Sequence, residues 1–280
     1  MPSDGASHTR LNEASYLSVK RCHGLGNVIL LLPVLERLVE RGVTVHLVTR
    51  PQWMRTLQKL QPNLIVSDQS QPDTIDLDAP TNSLRPQQHR SAEFAALLGV
   101  HETLSEPRLT IPAEWSDPFL HWTGAIAFAP EAGHPSRQWP TEYRNKLTRK
   151  LKGSPLVLVG TTRRPEFPCD LDTRADLELD ELLGLLKVVR LVICMDSGIL
   201  HLAAAVGTPT ICIFGGIDPA FRIHQNQRVV ALQAKLPCCP CNKNETCDER
   251  FDCIKSITVE AVLESIRDSL TTTTRVVRQV

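Results

Sequence analysis

Apolar residues along the N-terminal half of the chain follow two alternating spacings. Short runs in which nearly every residue is apolar are typical of strands buried on both faces, whereas apolar residues three and four positions apart are typical of helices. In residues 23–42 the apolar positions have helical spacing, and Gly42 follows the last of them. The polar, proline-rich residues 67–88 predict a loop. The predicted strands are 16–22, 43–49 and 63–67, and the predicted helices are 23–42, 51–60 and 90–100.

The same alternation starts again after residues 111–124, which we interpret as a domain boundary. The predicted strands are then 125–130, 155–160, 191–195 and 208–215, and the predicted helices are 141–153, 179–189, 199–207 and 258–270. Strands that alternate with helices favour parallel sheets covered by helices on both faces. We therefore predict an α/β fold with two doubly wound domains, 1–120 and 121–270, that face one cleft. Residues 271–280 are expected to form a loose tail.

Composition narrows the classes of partner. The chain has 31 Lys and Arg against 31 Asp and Glu, so no net positive charge draws it to nucleic acid. The apolar runs are too short or too interrupted to span a bilayer. The first sixteen residues lack a charged start followed by an apolar core, so we expect no signal peptide and a cytoplasmic protein. The sequence leaves the oligomeric state open.

Polar residues follow the predicted strand 191–195, where the next helix begins. Ligands of open α/β sheets bind at the carboxyl ends of the strands. Ser197 and Gly198 leave backbone N–H groups free in the first helical turn, where the helix dipole favours an anion. His201 lies one turn further on the same helix face, and Asp196 fits as an acceptor for a sugar hydroxyl or for nearby N–H groups. The structural alternative is that Asp196 or Ser197 only caps the helix and that His201 packs in the core.

Three further turns carry candidate binding residues. Gly24 and Gly26 form a loop that lets a ligand approach the backbone, although the third glycine of the dinucleotide fingerprint is missing. Arg137 offers a guanidinium that can fork onto a diphosphate, and its alternative is a solvated loop arginine. Thr161 and Thr162 follow another predicted strand.

Five of the nine cysteines lie within residues 238–253. In a chain without a secretion signal, this clustering favours a metal site over a disulfide framework. Four thiolates would make a closed, structural site for zinc or iron, and the alternatives are reduced thiols or an adventitious disulfide. The candidate ligands are Cys238 (or Cys239), Cys241, Cys247 and Cys253.

These motifs together resemble glycosyltransferase family 9, the lipopolysaccharide heptosyltransferase family. The matching stretches are GLGNVILLLPVLERL, SRQWPTEYRNKL, LELDELLGLLKVVRLVICMDSGILHLAAAVGTPTICIFGGIDP and CIKSITVEAVLESI. They run almost continuously through the C-terminal half and touch the N-terminal half only at its first turn. The resemblance implies the GT-B fold, with two Rossmann-like domains. It also implies a nucleotide-diphosphate sugar, usually ADP-heptose, bound in the C-terminal domain without an organic cofactor.

The resemblance also assigns expected roles to individual residues. Arg137 takes the place of a lysine that pairs with the diphosphate, Thr162 falls near the ribose and Leu177 near the base. Relatives that glycosylate autotransporters carry a cysteine-bound iron finger where the cysteine cluster lies. The residues matched to the donor site, together with Thr161 from the preceding turn, are Gly133, Arg137, Thr161, Thr162, Leu177, Asp196, Ser197, Gly198 and His201.

The first turn departs from the family pattern. Family members usually have G-L-G-D there, and the aspartate is proposed to deprotonate the acceptor hydroxyl. Here the position is Asn27, whose neutral amide cannot take a proton. The alternative bases are Asp76 and Asp78 in the polar loop, and His23. The N-terminal half is also short for the family, so the acceptor is left as a hydroxyl of a glycan or of a protein side chain.

Three hypotheses of function follow. The first is an inverting glycosyltransferase that moves a sugar, heptose before others, from a nucleotide-diphosphate sugar such as ADP-heptose. The second is a nucleotide-sugar-binding protein that has lost turnover, or a phage-type transferase with another donor or acceptor; Asn27 motivates the loss of turnover. The third is a hydrolase that uses Ser197 with His201, and the missing G-x-S-x-G motif argues against it.

Overall fold

The structure, a computed structural model, describes residues 15–79, 86–163, 165–243, 247, 250–269 and 274–280. The chain forms two compact units, one of residues 1–84 and 88–107 and one of residues 85–87 and 108–280. The split therefore falls before the boundary after residue 120 that the sequence suggested. Within the described ranges, no helix combines the length and apolar character of a membrane span. The signal-peptide prediction concerns mainly residues 1–14, which lie outside the described residues, and the cytoplasmic location stays a prediction.

The first unit contains a four-stranded parallel sheet in the order β3-β2-β1-β4. Its strands are β1 (Tyr16–Lys20), β2 (Thr44–Val48), β3 (Leu64–Ser67) and β4 (Ile75–Asp76). Its helices include α1 (Leu25–Glu40), α2 (Pro51–Leu60) and α3 (Arg90–Leu97). The predicted elements of this half are confirmed to within a few residues. Strand β4 lies inside the predicted loop because two half-exposed residues leave no periodic pattern in the sequence.

A buried polar row crosses the first sheet. Nδ1 of His46 on β2 lies 3.0 Å from the Ser18 hydroxyl on β1, and its Nε2 lies 2.7 Å from the Ser67 hydroxyl on β3. Burial lowers the pKa of His46, which keeps the imidazole neutral at pH 7. A neutral ring between two hydroxyls satisfies both of its nitrogens without a buried charge.

The second unit contains seven parallel strands in the order β11-β10-β9-β8-β5-β6-β7. Its strands are β5 (Ile126–Ala129), β6 (Leu156–Leu158), β7 (Leu171–Asp172), β8 (Leu191–Met195), β9 (Thr210–Phe214), β10 (Val229–Gln233) and β11 (Val276–Gln279). Its helices include α4 (Ala113–Ser116), α5 (Thr141–Lys150), α6 (Leu179–Val188), α7 (Gly198–Val206), α8 (Asp252–Lys255) and α9 (Val259–Ser269). The predicted α/β class with parallel sheets is confirmed.

The strand order of the second unit has one switch point, between β5 and β8. From β5 the chain adds β6 and β7 on one side, and from β8 it adds β9, β10 and β11 on the other. The loops after β5 and β8 leave the sheet in opposite directions, which opens a crevice between their carboxyl ends. This crevice is where a ligand of such a sheet is expected.

Close packing supports this edge of the second unit. The Trp139 side chain is fully buried, and its Nε1 donates to the carbonyl of Ile257 at 2.8 Å, which ties the chain before α5 to the chain before α9. Gly184 of α6 lets the backbone of Trp115 in α4 approach, because a Cβ there would lie 1.8 Å from the Trp115 oxygen. Gly215, directly after β9, lets the loop after β5 approach in the same way, because a Cβ there would lie 2.4 Å from the Ser136 oxygen.

The prediction of a loose tail at 271–280 is wrong for residues 276–279, while residues 271–273 lie outside the described residues. Residues 276–279 form β11, which pairs with β10 from Val230↔Val276 to Gln233↔Gln279. Strand β10 was not among the predicted strands either, and it lies between β9 and the cysteine loop. The outer faces of β11 are largely exposed and its valines lie among threonines, arginines and a glutamine, so it lacks the continuous apolar run of a central strand.

Candidate functional site

The turn between β8 and α7 lies at the switch point and exposes an uncapped helix end. Ser197 occupies the position before α7 in an extended conformation, and its side chain makes no capping hydrogen bond. Its hydroxyl oxygen is buried and has no hydrogen-bond partner among the described residues, and the same holds for Oδ2 of Asp196, a residue only 2% exposed. Capping by Ser197 therefore does not explain this turn. Unsatisfied buried oxygens beside free helical N–H groups are typical of a ligand site.

Arg137 lies beside this turn. It ends the short 3₁₀ turn Pro135–Arg137 after β5, which the His134 side chain caps by accepting from the Ser136 N–H at 3.2 Å. Its Nη1 donates to the backbone oxygen of Asp196 at 3.1 Å and lies 3.8 Å from the Asp196 carboxylate. Its Nε is buried without a partner in the described part of the chain, while the side chain is 28% exposed. The guanidinium is thus held in place with hydrogen-bonding capacity left for a ligand.

His201 lies one turn into α7 and is 7% exposed. Burial lowers the pKa of its imidazole to about 4, against the opposing effect of the Asp196 carboxylate. The ring is therefore neutral at pH 7, so it can serve an anion as a hydrogen-bond donor but not as a cation. Ser197 makes no hydrogen bond to it, because the Ser197 hydroxyl has no partner among the described residues. The structure gives the hydrolase hypothesis no activated serine.

A buried ion network joins the carboxyl ends of β5, β6 and β7. It was not predicted from the sequence. Glu131, directly after β5, pairs with the fully buried Arg174 at 3.1 Å and shares a hydrogen bond with the Thr162 side chain. Arg174 also forks onto the Asp172 carboxylate through bonds of 2.9 and 2.8 Å. Burial raises the pKa of Glu131, although Arg174 opposes the shift. The signal was present in the sequence, because Glu131 directly follows a buried strand at the ligand-binding edge.

The remaining predicted donor-site residues lie on the same edge of the second sheet. Gly133 and Thr161 are exposed in the loops after β5 and β6. Leu177 lies two residues before the start of α6 and is half-buried. Gly198 is the first residue of α7. The structure thus places every residue of that set at carboxyl ends of strands or starts of helices, and direct contact is seen between Arg137 and Asp196. Their binding roles stay predictions.

In the first unit, Asp78 organises the loop after β1. Its carboxylate accepts from the N–H groups of Cys22 and His23 at 3.0 and 2.9 Å, and Arg21 Nη1 lies 3.1 Å from it. Gly24 follows with a φ of 79°, a conformation that favours glycine. The Asn27 amide then donates to the His23 carbonyl at 3.3 Å. Asp78 is therefore occupied as an acceptor in this loop.

Asp76 is occupied as well. It pairs with Lys20 at 2.9 Å and accepts from the N–H of Asp78 at 2.7 Å, and the bond from Lys20 lowers the pKa of the Asp76 carboxyl. A lower pKa makes a weaker base. The His23 side chain is exposed and makes no hydrogen bond within the described residues, while Gly26 is buried at the start of α1.

The cysteine loop differs from the predicted ligand set. Cys238 and Cys247 are exposed, whereas Cys239, not Cys238, hydrogen-bonds with Cys253. The Cys239 thiol lies 3.5 Å from the Gly215 oxygen, and a Cβ on Gly216 would lie 2.7 Å from the Cys241 sulfur. Across the described ranges, no group of three or more His, Cys, Asp and Glu side chains is placed to hold a metal ion. The residues as described do not form the tetrahedral site that the spacing suggested.

Comparison with known proteins shows the family of this chain. The family model for glycosyltransferase family 9 (heptosyltransferase) matches residues 89–251. Lipopolysaccharide heptosyltransferase 1 of Pseudomonas aeruginosa PAO1 is 30% identical over 139 residues, which are 46% of this chain and 36% of that protein. The matches to three curated heptosyltransferases span only 36% to 46% of their length.

Solved structures share the fold. A family 9 glycosyl transferase of Veillonella parvula DSM 2008 has a TM-score of 0.72 at 15% identity, over 91% of this chain and 97% of that one. The iron-containing dodecameric glycosyltransferase TibC of enterotoxigenic Escherichia coli H10407 has a TM-score of 0.75 at 17% identity, over 91% and 75%. TibC has also been solved with ADP-D-beta-D-heptose. The fold is the GT-B fold of these enzymes, and since the family model covers more than half of the sequence, the chain belongs to glycosyltransferase family 9.

Proposed function

We propose that the protein is a glycosyltransferase that moves heptose from ADP-heptose to a hydroxyl of a glycan or protein. One observation carries the proposal. At the switch point of the second sheet, Arg137 lies against Asp196, beside the N-terminus of α7, and its Nε has no partner among the described residues. Family membership and the complex of TibC with ADP-heptose support the nature of the donor.

The chemistry proposed for the site is a single displacement. The acceptor oxygen attacks the anomeric carbon, the bond from that carbon to the diphosphate oxygen breaks, and the configuration inverts. The leaving diphosphate gains negative charge, which Arg137 and the N–H groups at the start of α7 stabilise. His201, neutral at pH 7, donates a hydrogen bond to the same group. Asp196 accepts from a sugar hydroxyl, which gives its unpartnered Oδ2 a role.

The donor site is tested by calorimetric titration of ADP with Arg137→Ala. A charge-assisted hydrogen bond contributes about 1.5–3 kcal/mol, so affinity should fall about ten- to a hundredfold. Arg149→Ala is the matched control, because Arg149 is exposed on α5 and away from the switch point. Equal ADP affinity in wild type and Arg137→Ala would remove Arg137 from the site.

For the base we propose His23. Its side chain is the one among the three candidates that makes no hydrogen bond in the described part of the chain, while Asp76 and Asp78 are occupied. Loss of a general base costs about 10²–10⁴ in rate. His23→Ala should therefore lose transfer while keeping ADP affinity, whereas Asp76→Asn should keep both. Full transfer activity in His23→Ala would reject this assignment.

Asn27 favours one competing function, a donor-binding protein without turnover. Its amide donates to the His23 carbonyl and so takes part in loop structure rather than proton transfer. Assay of ADP release from ADP-heptose, with and without extracts that contain acceptors, separates the two functions. Tight binding of ADP, without release of ADP from ADP-heptose in the presence of any acceptor extract, would favour the binding protein. Asn27→Asp should then restore the release of ADP.

A structural zinc or iron ion is a separate proposal that rests on sulfur chemistry. Cys239, Cys241 and Cys253 pack around the same two glycines, and the TibC structure is described as iron-containing. Elemental analysis of protein purified without added metal should find one ion per chain, absent in Cys241→Ser and retained in Cys169→Ser. No stoichiometric metal, with all thiols titrating in the folded protein, would show that the cluster is a set of reduced cysteines.

A further inference from the structure

Arg222 is a buried arginine whose charge the described protein does not neutralise. The residue is 8% exposed. Within the described residues it forms no ion pair, and its side chain makes a single long hydrogen bond, 3.4 Å from Nη1 to the carbonyl of the preceding residue, Phe221. A largely buried cation without a counter-ion is costly, so an anionic ligand at this position would be stabilised by Arg222.

The loop that carries Arg222 is tied down by hydrogen bonds and follows β9, the strand next to β8. It leaves the carboxyl end of β9, and Gln233 holds its start by donating to the carbonyls of Gly215 and Ile217 at 3.1 and 2.8 Å. Asp218 caps the 3₁₀ turn Pro219–Phe221 by accepting from the Ala220 N–H at 2.8 Å. The nearest acidic side chain in sequence thus has another task, and the backbone that leads to Arg222 is held by hydrogen bonds within the protein.

One contact and one electrostatic interaction place this loop beside the proposed donor site. Gly215 at its start packs on the backbone of Ser136, the residue before Arg137. At its other end, the charge of Arg222 acts on the His201 imidazole in the first turns of α7, as does the charge of Arg137. Arg137 and Arg222 therefore both lie within electrostatic reach of one buried ring at the start of α7.

We infer that Arg222 is a second cationic ligand of the donor's diphosphate, acting with Arg137. The inference rests on the proposed function and names a residue for it. A diphosphate diester carries a negative charge on each phosphate, and the Asp196 carboxylate already offsets much of the charge of Arg137 at 3.8 Å. Arg222 supplies the missing positive charge, and its planar guanidinium can fork onto two phosphate oxygens.

Sequence patterns alone do not distinguish Arg222. Arg222 follows the F-G block by several residues and belongs to no motif, and a lone arginine in a polar loop is usually solvated. Only its burial, its lack of an ion pair in the described chain and the contact between Gly215 and Ser136 distinguish it from such a residue.

The test compares ADP and AMP binding by calorimetry in the full chain for wild type, Arg222→Gln and Arg222→Lys. Arg222→Gln should bind ADP about ten- to a hundredfold more weakly and AMP almost as well as wild type, because AMP lacks the second phosphate. Arg222→Lys keeps the charge but not the fork, so its loss for ADP should be smaller. Arg149→Gln is the control for removing an exposed arginine.

The outcomes separate the two proposals. If wild type binds no ADP, the proposed function fails and the role of Arg222 fails with it. If wild type binds ADP and a folded Arg222→Gln binds it equally well, or loses ADP and AMP to the same degree, Arg222 is structural and only this inference is overturned. If Arg222→Gln does not fold, Arg222→Lys decides, and equal ADP affinity in Arg222→Lys and wild type would then reject a forked contact.

Discussion

Replacing Asp78 by asparagine distinguishes a carboxylate that holds the fold from one that takes part in chemistry. Asp78 accepts from two backbone N–H groups of the loop after β1 and lies 3.1 Å from the guanidinium of Arg21, whose side chain is fully buried. Asparagine keeps the size but loses the charge and one acceptor oxygen. One backbone N–H would then meet an amide donor in place of a carboxylate oxygen.

The expected magnitude follows from this burial. Removing one partner of a buried ion pair costs about 3–5 kcal/mol. Since the Asp78 side chain is 18% exposed, we expect the lower end, about 3 kcal/mol. Asp76→Asn is the matched control, because its pair with Lys20 is 35% and 44% exposed, and a surface pair contributes at most about 1 kcal/mol.

Urea unfolding followed by circular dichroism measures both variants. With about 3 kcal/mol lost and a urea m-value of about 1–3 kcal/mol/M, Asp78→Asn should lower the unfolding midpoint by roughly 1–3 M, and Asp76→Asn should leave it nearly unchanged. Below the transition, the folded fraction of Asp78→Asn should keep its transfer rate. An unchanged midpoint together with a loss of rate of about a hundredfold or more would mean that Asp78 acts in the chemistry and that the structural account is wrong.

Three further predictions concern packing and pH. The folded-state pKa of His201 is about 4 and that of His46 is also lowered, so the unfolded chain binds more protons than the folded chain below about pH 6.5. The contribution of these two groups to the free energy of unfolding should therefore be fully present above that pH and should be lost toward pH 4. In His46→Gln, the decrease in the free energy of unfolding between pH 6.5 and 5 should be smaller. Gly215→Ala should lower the free energy of ADP binding, measured by calorimetry, more than the free energy of unfolding, measured by thermal melting, since the new methyl would push the loop after β9 away from Ser136. An ADP affinity equal to that of wild type would contradict this. Gly184→Ala should lower stability by at least about 1–3 kcal/mol, since its Cβ would lie 1.8 Å from a backbone oxygen, and an unchanged melting curve would show that α6 and α4 do not pack as described.

Most of the central sheet of each unit could be predicted from the sequence, because those strands are buried on both faces. Strand β8 is buried at all five positions and was predicted with its observed ends. The edge strand β11 was missed because its exposed residues remove the apolar pattern on which such predictions depend. Strand β10 is fully buried, and the signal was present in its five residues but was overlooked beside the cysteine cluster.

The site divides in the same way. Asp196 and Ser197 could be found because they directly follow a recognisable strand, and the topology alone then brings them to the ligand-binding edge. The partnership of Glu131 with Arg174, the burial of Arg222 and the choice of Cys239 over Cys238 depend on how loops pack on one another. Such contacts between residues distant in sequence leave no local pattern.

The strand order of the second unit has a consequence for its folding. Arg137 and Asp196 come from two loops that meet because β5 pairs with β8 across a long stretch of intervening chain, and the loop of Arg222 follows β9, which pairs with β8. No fragment that lacks one of these strands can assemble the anion site, so nucleotide affinity reports on the integrity of the unit as a whole. Conversely, a bound nucleotide at about a hundred times its Kd would stabilise the folded unit by about 2.7 kcal/mol. A ligand at such a concentration would thereby also slow proteolysis that acts on the unfolded protein.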